Sequence, residues 1–305
     1  SAINGIFTGT FDGRGFTISG LAIQTANGED VVGLFKELGN GVILENIDIE
    51  SFSITGNGTS SNNFGIIAGR VDGSSDVIID NLNITNSSIS NARNSGGLIG
   101  SINNSDVQIK NITNHARLDL RYWSGGIIGT MTGTNNNLLI ENITNSGLLE
   151  FPESDAERHG GIIGRITANE SHLALSSVRN SMDLVGRGLH VGGIIGQISS
   201  NDVSLTLNDI IYNGKIETEN GQSSMHHGGI VAILDLTGNS SITGSNIEFS
   251  GSIIRNGGGP KGQIFGTIAT STNINLTSIT ANQGFNLIGD DNPTLSSGTS
   301  EIIIE

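Results

Sequence analysis

Short apolar stretches recur along this chain in a strand-like rhythm. Val107 and Ile109 flank Gln108, and Val203, Leu205 and Leu207 are separated by polar residues. This is the period of two expected where one side of a β-strand is buried. Similar β-branched segments stand at 76–84 (DVIIDNLNI), 137–145 (NLLIENITN) and 173–178 (LALSSV), and no long stretch holds a 3.6-residue period. The pattern predicts an all-β chain of many short strands.

A glycine block ties these strands together. It reads GGLIG from Gly96 and GGIIG from Gly125, Gly160 and Gly192, with altered forms GLF from Gly33, GIIAG from Gly65, GGIVA from Gly228 and GQIFG from Gly262. Aligned on its second position, it returns at 33, 65, 97, 126, 161, 193, 229 and 263, in steps of 32, 32, 29, 35, 32, 36 and 34 residues. A fixed period of this size marks a repeat protein, in which each unit buries its apolar side only by stacking on its neighbours. About 33 residues with two or three short strands fit one turn of a parallel β-helix. Roughly nine turns at about 4.8 Å make a rod on the order of 45 Å long. We read residues 1–305 as a single β-solenoid domain: an opening turn over 1–32, repeat turns over 33–285, and a short capping turn with a C-terminal strand over 286–305.

Composition narrows the function classes. Only 14% of residues are charged, against roughly 25% in an ordinary soluble domain. The net charge of −15, from 29 acidic and 14 basic residues, argues against nucleic acid and anionic lipid as partners. Without cysteine there is neither a disulfide nor a thiolate metal site. No apolar run reaches the roughly 20 residues of a transmembrane helix.

A second set of recurring residues supports the register. Asn46-Ile47-Asp48-Ile49 matches Asn81-Leu82-Asn83-Ile84, and Asn111-Ile112-Thr113-Asn114 returns as Asn142-Ile143-Thr144-Asn145, with weaker echoes at 178–180 and 211–213. Stacked turns would set these asparagines in hydrogen-bonded ladders. The same segments create Asn-x-Ser/Thr sequons, as at Asn111 and Asn142, which ladder packing and an Asn-rich composition account for.

The opening Phe7-Thr8-Gly9-Thr10-Phe11-Asp12-Gly13-Arg14-Gly15-Phe16-Thr17-Ile18, followed by Val32-Gly33-Leu34-Phe35 and Ile43–Ile49, resembles the first turn of GLUG-repeat proteins. Those are β-solenoid segments of large bacterial surface and secreted proteins, including adhesin-like proteins and regions beside IgA-specific metallopeptidases. The resemblance implies a right-handed parallel β-helix displayed outside the cell. Lys36 and Ala68 stand in small-residue slots of the pattern, and Gln263 replaces a second glycine.

Catalytic signatures are absent. No histidine is followed by glutamate, which excludes the H-E-x-x-H of a zinc peptidase, and Gly-x-Ser-x-Gly does not occur. Carboxylate pairs of the kind used by β-helix lyases and glycosidases would have to come from Asp72 with Asp76, Asp76 with Asp80, or Asp290-Asp291. We read these as loop or solvated strand residues, and a carbohydrate-active enzyme stays the alternative from another class. Ice binding would want regular Thr-x-Thr columns, which no face supplies.

One stripe rises above this background. Three residues before each second glycine stand Asn94, Trp123, Arg158, His190, His226 and Pro260; the next column holds Ser124, His159, Val191, His227 and Lys261, and Tyr122 precedes Trp123. Tyr122, Trp123, Arg158, His159, His190, His226 and His227 therefore form a candidate exposed binding stripe. Aromatic rings would stack on sugars, and Arg or His would bond hydroxyls or carboxylates. His190 and His226, on adjacent turns, form a weak candidate metal pair; no other cofactor is expected. At the C-terminus, Ile302, Ile303 and Ile304 between Glu301 and Glu305 read as a closing strand, or alternatively as one that pairs end to end with a second copy. The expectation is a secreted or cell-surface bacterial module, adhesive or structural and non-catalytic, meeting glycans or another cell surface.

Overall fold

The alternating segments form parallel strands that stack turn upon turn. The computed structural model describes residues 1–25, 29–57, 63–152, 158–219, 225–255, 261–269, 273–281, 286–289 and 302–304, and these form an all-β solenoid of about eight turns of roughly 32 residues. One complete turn runs through Ile163–Asn169, His172–Asn180, Asp183–Gly186 and His190–Gly192. These strands belong respectively to a nine-stranded, an eleven-stranded, an eight-stranded and a five-stranded sheet.

Strand pairing fixes the repeat. Ala68, Ile99, Ile128, Ile163, Ile195, Val231 and Phe265 stand in one column. The resulting steps of 31, 29, 35, 32, 36 and 34 match the glycine spacing except at the first, where Gly65 corresponds to Gly96 and not to Gly97. Ala68 is therefore a core residue in the slot of Ile99, and Gly69 fills the glycine position. At the far end, Gln263 and Ile264 donate backbone N–H groups to the carbonyls of Asn286 and Leu287, and Phe265 bridges to Ile288. Residues 286–289 are thus the last glycine block, 23 residues on from the one before. Ile302–Ile304 pairs in parallel with Ile274–Leu276 of the same chain, as a closing strand. Asp290 and Asp291 lie outside the described residues.

The long strands of the eleven-stranded sheet break strict alternation once. In His172–Asn180 the buried residues are Leu173, Leu175, Val178 and Asn180, a shift of phase at Ser177. Ser177 has φ 52°, and so, within a few degrees, do Asn46, Asn81, Asn111, Asn142, Asp209, Asn246 and Ser278, one per turn. Pairing skips this position: Asp80 faces Lys110 and Leu82 faces Ile112, with Asn81 and Asn111 between. A single left-handed residue re-aims the strand so that apolar side chains before and after it both point inward. Asn and Asp adopt that conformation more readily than other non-glycine residues.

The expected asparagine ladder is in fact two ladders. The outer one follows the left-handed column: Asn81 Nδ2 donates to Asn46 Oδ1 at 2.8 Å, and Asn142 Nδ2 to Asn111 Oδ1 at 2.6 Å. The inner one is fully buried, with Asn114 Nδ2 donating to Asn145 Oδ1 at 2.8 Å and Asn145 Nδ2 to Asn180 Oδ1 at 2.9 Å. Each inner amide also donates across the interior to a glycine carbonyl: Gly126 at 2.9 Å, Gly161 at 2.7 Å and Gly193 at 2.6 Å. The second glycine of the block makes this approach possible, since a Cβ on Gly161 would stand 1.9 Å from Asn180 Nδ2. The partner of Asn180 on the next turn is Tyr212, so the echo at 211–213 is displaced by one residue. From there the column is carried by stacked Tyr212 and Phe249 rings, 6.0 Å apart.

Candidate functional site

The candidate stripe lies where the five-stranded sheet turns into the nine-stranded sheet through the Gly-Gly block. Gly160 sits so close to the next segment that a Cβ would meet the Ile163 carbonyl at 1.9 Å. This tight corner brings two outward columns side by side. Arg158, His190 and His226 form the first, and Trp123, adjoining Ser124 in the same register, extends it. Thr130, Arg165, Gln197, Ile233 and Thr267 form the second.

Contacts cross between the columns one turn apart. The Arg165 guanidinium lies over the Trp123 ring, 4.1 Å from its centroid. His226 Nδ1 hydrogen-bonds Thr267 Oγ1. Within the first column the His190 and His226 rings are 5.0 Å apart and inclined at 45°. Tyr122, at φ 56°, lies under Arg93 of the eight-stranded sheet, with 4.3 Å from guanidinium carbon to ring centroid. One face of each aromatic is therefore already covered by a cation, a cation–π arrangement that orients both partners.

The structure corrects the expectation of an exposed stripe. Tyr122, Trp123, Arg158, His190 and His226 are half-buried, and His159 and His227 are completely buried. The reason is strand alternation: Arg158 and His226 point outward, so His159 and His227, one residue on, point in. His159 stacks flat on Phe151, 4.2 Å centroid to centroid, and His227 Nε2 hydrogen-bonds Thr218 Oγ1 at 3.1 Å. Burial, then the nearby His190, pushes the His159 pKa down to about 3. His190 falls to about 3 as well, through burial first and then the charges of His226 and Arg158. Both imidazoles are neutral at physiological pH.

His190 and His226 are neighbours as the spacing predicts, but no group of three or more His, Cys, Asp or Glu side chains placed to hold a metal occurs among the described residues. Asp72 and Asp80 accept hydrogen bonds from Asn103 and Asn111, each at 2.7 Å, and so serve side-chain ladders. Sequence reasoning overlooked Arg165, Gln197 and Arg93. The signal for the first two was the constant seven-residue offset across the glycine block, from 123 to 130, 158 to 165, 190 to 197 and 226 to 233.

Comparison with known proteins yields one partial likeness. Halomucin from Haloquadratum walsbyi (strain DSM 16790 / HBSQ001) is 37% identical over 107 residues, a match that takes in 35% of this chain and 1% of that protein. The chain thus spans only a small fraction of the relative's length. No family model matches, and no solved structure is significantly similar. Among the described residues no helix is long and apolar enough to cross a membrane.

Proposed function

We propose that this chain is a non-catalytic module of a cell-surface or secreted protein, a stiff spacer that presents the Trp123–His226 corner to glycans or to another cell surface. The observation that carries the proposal is the stacking itself. Parallel register converts one side chain per turn into a continuous ridge, and the Gly-Gly corner sets a second ridge beside it. A partial likeness to a protein that bears the name of a mucin supports a place outside the cell, as does the GLUG-like opening turn. Stacked-repeat architectures characteristically use such extended surfaces for binding.

A glycan array with the intact chain and a Trp123→Ala variant tests this, with product release from any bound polysaccharide followed in parallel. Specific binding that the variant loses, without product, is the expected result. Released product would make the chain an enzyme, and no binding to any glycan would reduce it to a spacer.

A further inference from the structure

The charge at this corner runs against the rest of the molecule. The chain carries 29 acidic and 14 basic residues, yet neither corner column holds a carboxylate between Trp123 and His226 among the described residues. Arg158 and Arg165 stand on one turn, seven residues apart, and Arg93 and Arg121 are register partners beside Tyr122. Four of the 14 basic residues thus bracket the two aromatics. By contrast, an outward column of the eleven-stranded sheet reads Glu45, Asp80, Lys110, Glu141.

The arginines are also held in a form suited to binding. Stacking on an aromatic ring uses the face of a guanidinium, whereas its hydrogen bonds to carboxylate or sulfate run along its edge. Arg93 is half-buried, with its Nε enclosed, so a ligand anion would meet the remainder of its guanidinium. Turn spacing selects the kind of polymer. Successive turns are about 4.8 Å apart, close to the length of one sugar residue in an extended polysaccharide, whereas an extended peptide advances only about 3.3 Å per residue.

We propose that the corner binds an acidic polysaccharide, one bearing carboxylate or sulfate groups, laid along the solenoid axis with its anionic groups on Arg158, Arg165 and Arg93 and sugar rings against Trp123 and Tyr122. This rests on the adhesive reading above and specifies its ligand class.

The test measures binding of polygalacturonate, fully methyl-esterified polygalacturonate, dextran sulfate, dextran and poly-glutamate by titration calorimetry at low and high salt. Arg165→Gln, Arg93→Gln, Trp123→Ala and Lys110→Gln are compared with the parent chain, and circular dichroism confirms that each folds. The expected result is binding of the two acidic polysaccharides at low salt, at least tenfold weaker binding of their neutral counterparts and of poly-glutamate, and a loss that grows with salt. Arg165→Gln or Arg93→Gln should weaken binding about tenfold, with Lys110→Gln unchanged. Two arginine variants are included so that one misfolded variant still leaves a test. Equal, Trp123-dependent binding of neutral and acidic polymers would overturn the charge inference and leave the adhesive module standing. Preference for poly-glutamate, or equal weakening by Lys110→Gln, would overturn it as well. No binding to any of these polymers would overturn the acidic-polysaccharide proposal, and the glycan array would then decide separately whether the adhesive reading stands.

Discussion

Two columns of asparagines run along this solenoid, and they do different work. Asn114, Asn145 and Asn180 are wholly buried, and each is bonded to an asparagine of a neighbouring turn and to a glycine carbonyl across the interior. Asn46, Asn81, Asn111 and Asn142 lie on the surface side of the same sheet at φ 53–56°, where Asn81 and Asn142 donate to Asn46 and Asn111, and those two donate to Asp12 and Asp80. The inner column is chosen for its hydrogen bonds, because a buried amide or carbonyl without a partner costs about 1–3 kcal/mol. The outer column is chosen for its backbone, because few side chains tolerate the left-handed conformation.

The largest expected effect breaks the inner column. Replacing Asn145 with Leu removes the acceptor of Asn114 and strands the Asn180 Oδ1 and Gly161 carbonyl without that donor. We expect a loss of about 3–5 kcal/mol, seen as a lower midpoint in urea unfolding. A loss below about 1 kcal/mol would mean that the inner amides are no more than space-fillers.

Acid offers an intermediate effect and sharpens the contrast, since the amides of both columns do not titrate while the inward imidazole of His159 does. His159 is neutral when folded because burial, and then His190, hold its pKa near 3, whereas the unfolded chain takes up a proton near 6.5. Its folded pKa is depressed, and for a base this means that full stability is present above pH ~6.5 and is lost as pH falls toward 3. The loss is about 1.4 kcal/mol per pH unit, or about 2 kcal/mol at pH 5. Val191 occupies the same column one turn on, so His159→Val should keep the packing and flatten the fall between pH 7 and pH 5. Equal falls in parent and variant would place the acid sensitivity elsewhere.

Legibility in the sequence followed the same division. The period and parallel stacking were readable, because Val107 with Ile109 and Leu205 with Leu207 alternate and the glycine block repeats. The two ladders were read as one, since sequence shows asparagine without showing which way the strand has turned. Unbroken alternation from Leu138 and Ile140 would turn Asn142 inward and Asn145 outward, and the left-handed residue at 142 reverses the two. The site was half legible for a related reason. Spacing alone sets Trp123, Arg158, His190 and His226 in a column, but it does not reveal the phase beside a Gly-Gly bend, so it places His159 and His227 on the surface although both are buried. Arg165 and Arg93 come from other strands, and only three-dimensional stacking brings them onto the rings.

The smallest effect belongs to the outer column, and a pair of substitutions at Asn142 isolates its cause. Both Asn142→Ala and Asn142→Gly remove the exposed hydrogen bond to Asn111, so that contribution cancels between them. Alanine must still adopt φ near 54°, at about 1–2 kcal/mol, whereas glycine enters that region freely. We expect the alanine variant to lose about 1 kcal/mol or slightly more in urea unfolding and the glycine variant to stay within about 0.5 kcal/mol of the parent. If the two variants were equally destabilised, the amide ladder and not the left-handed turn would be what the outer asparagines supply, and the distinction between the columns would reduce to depth of burial.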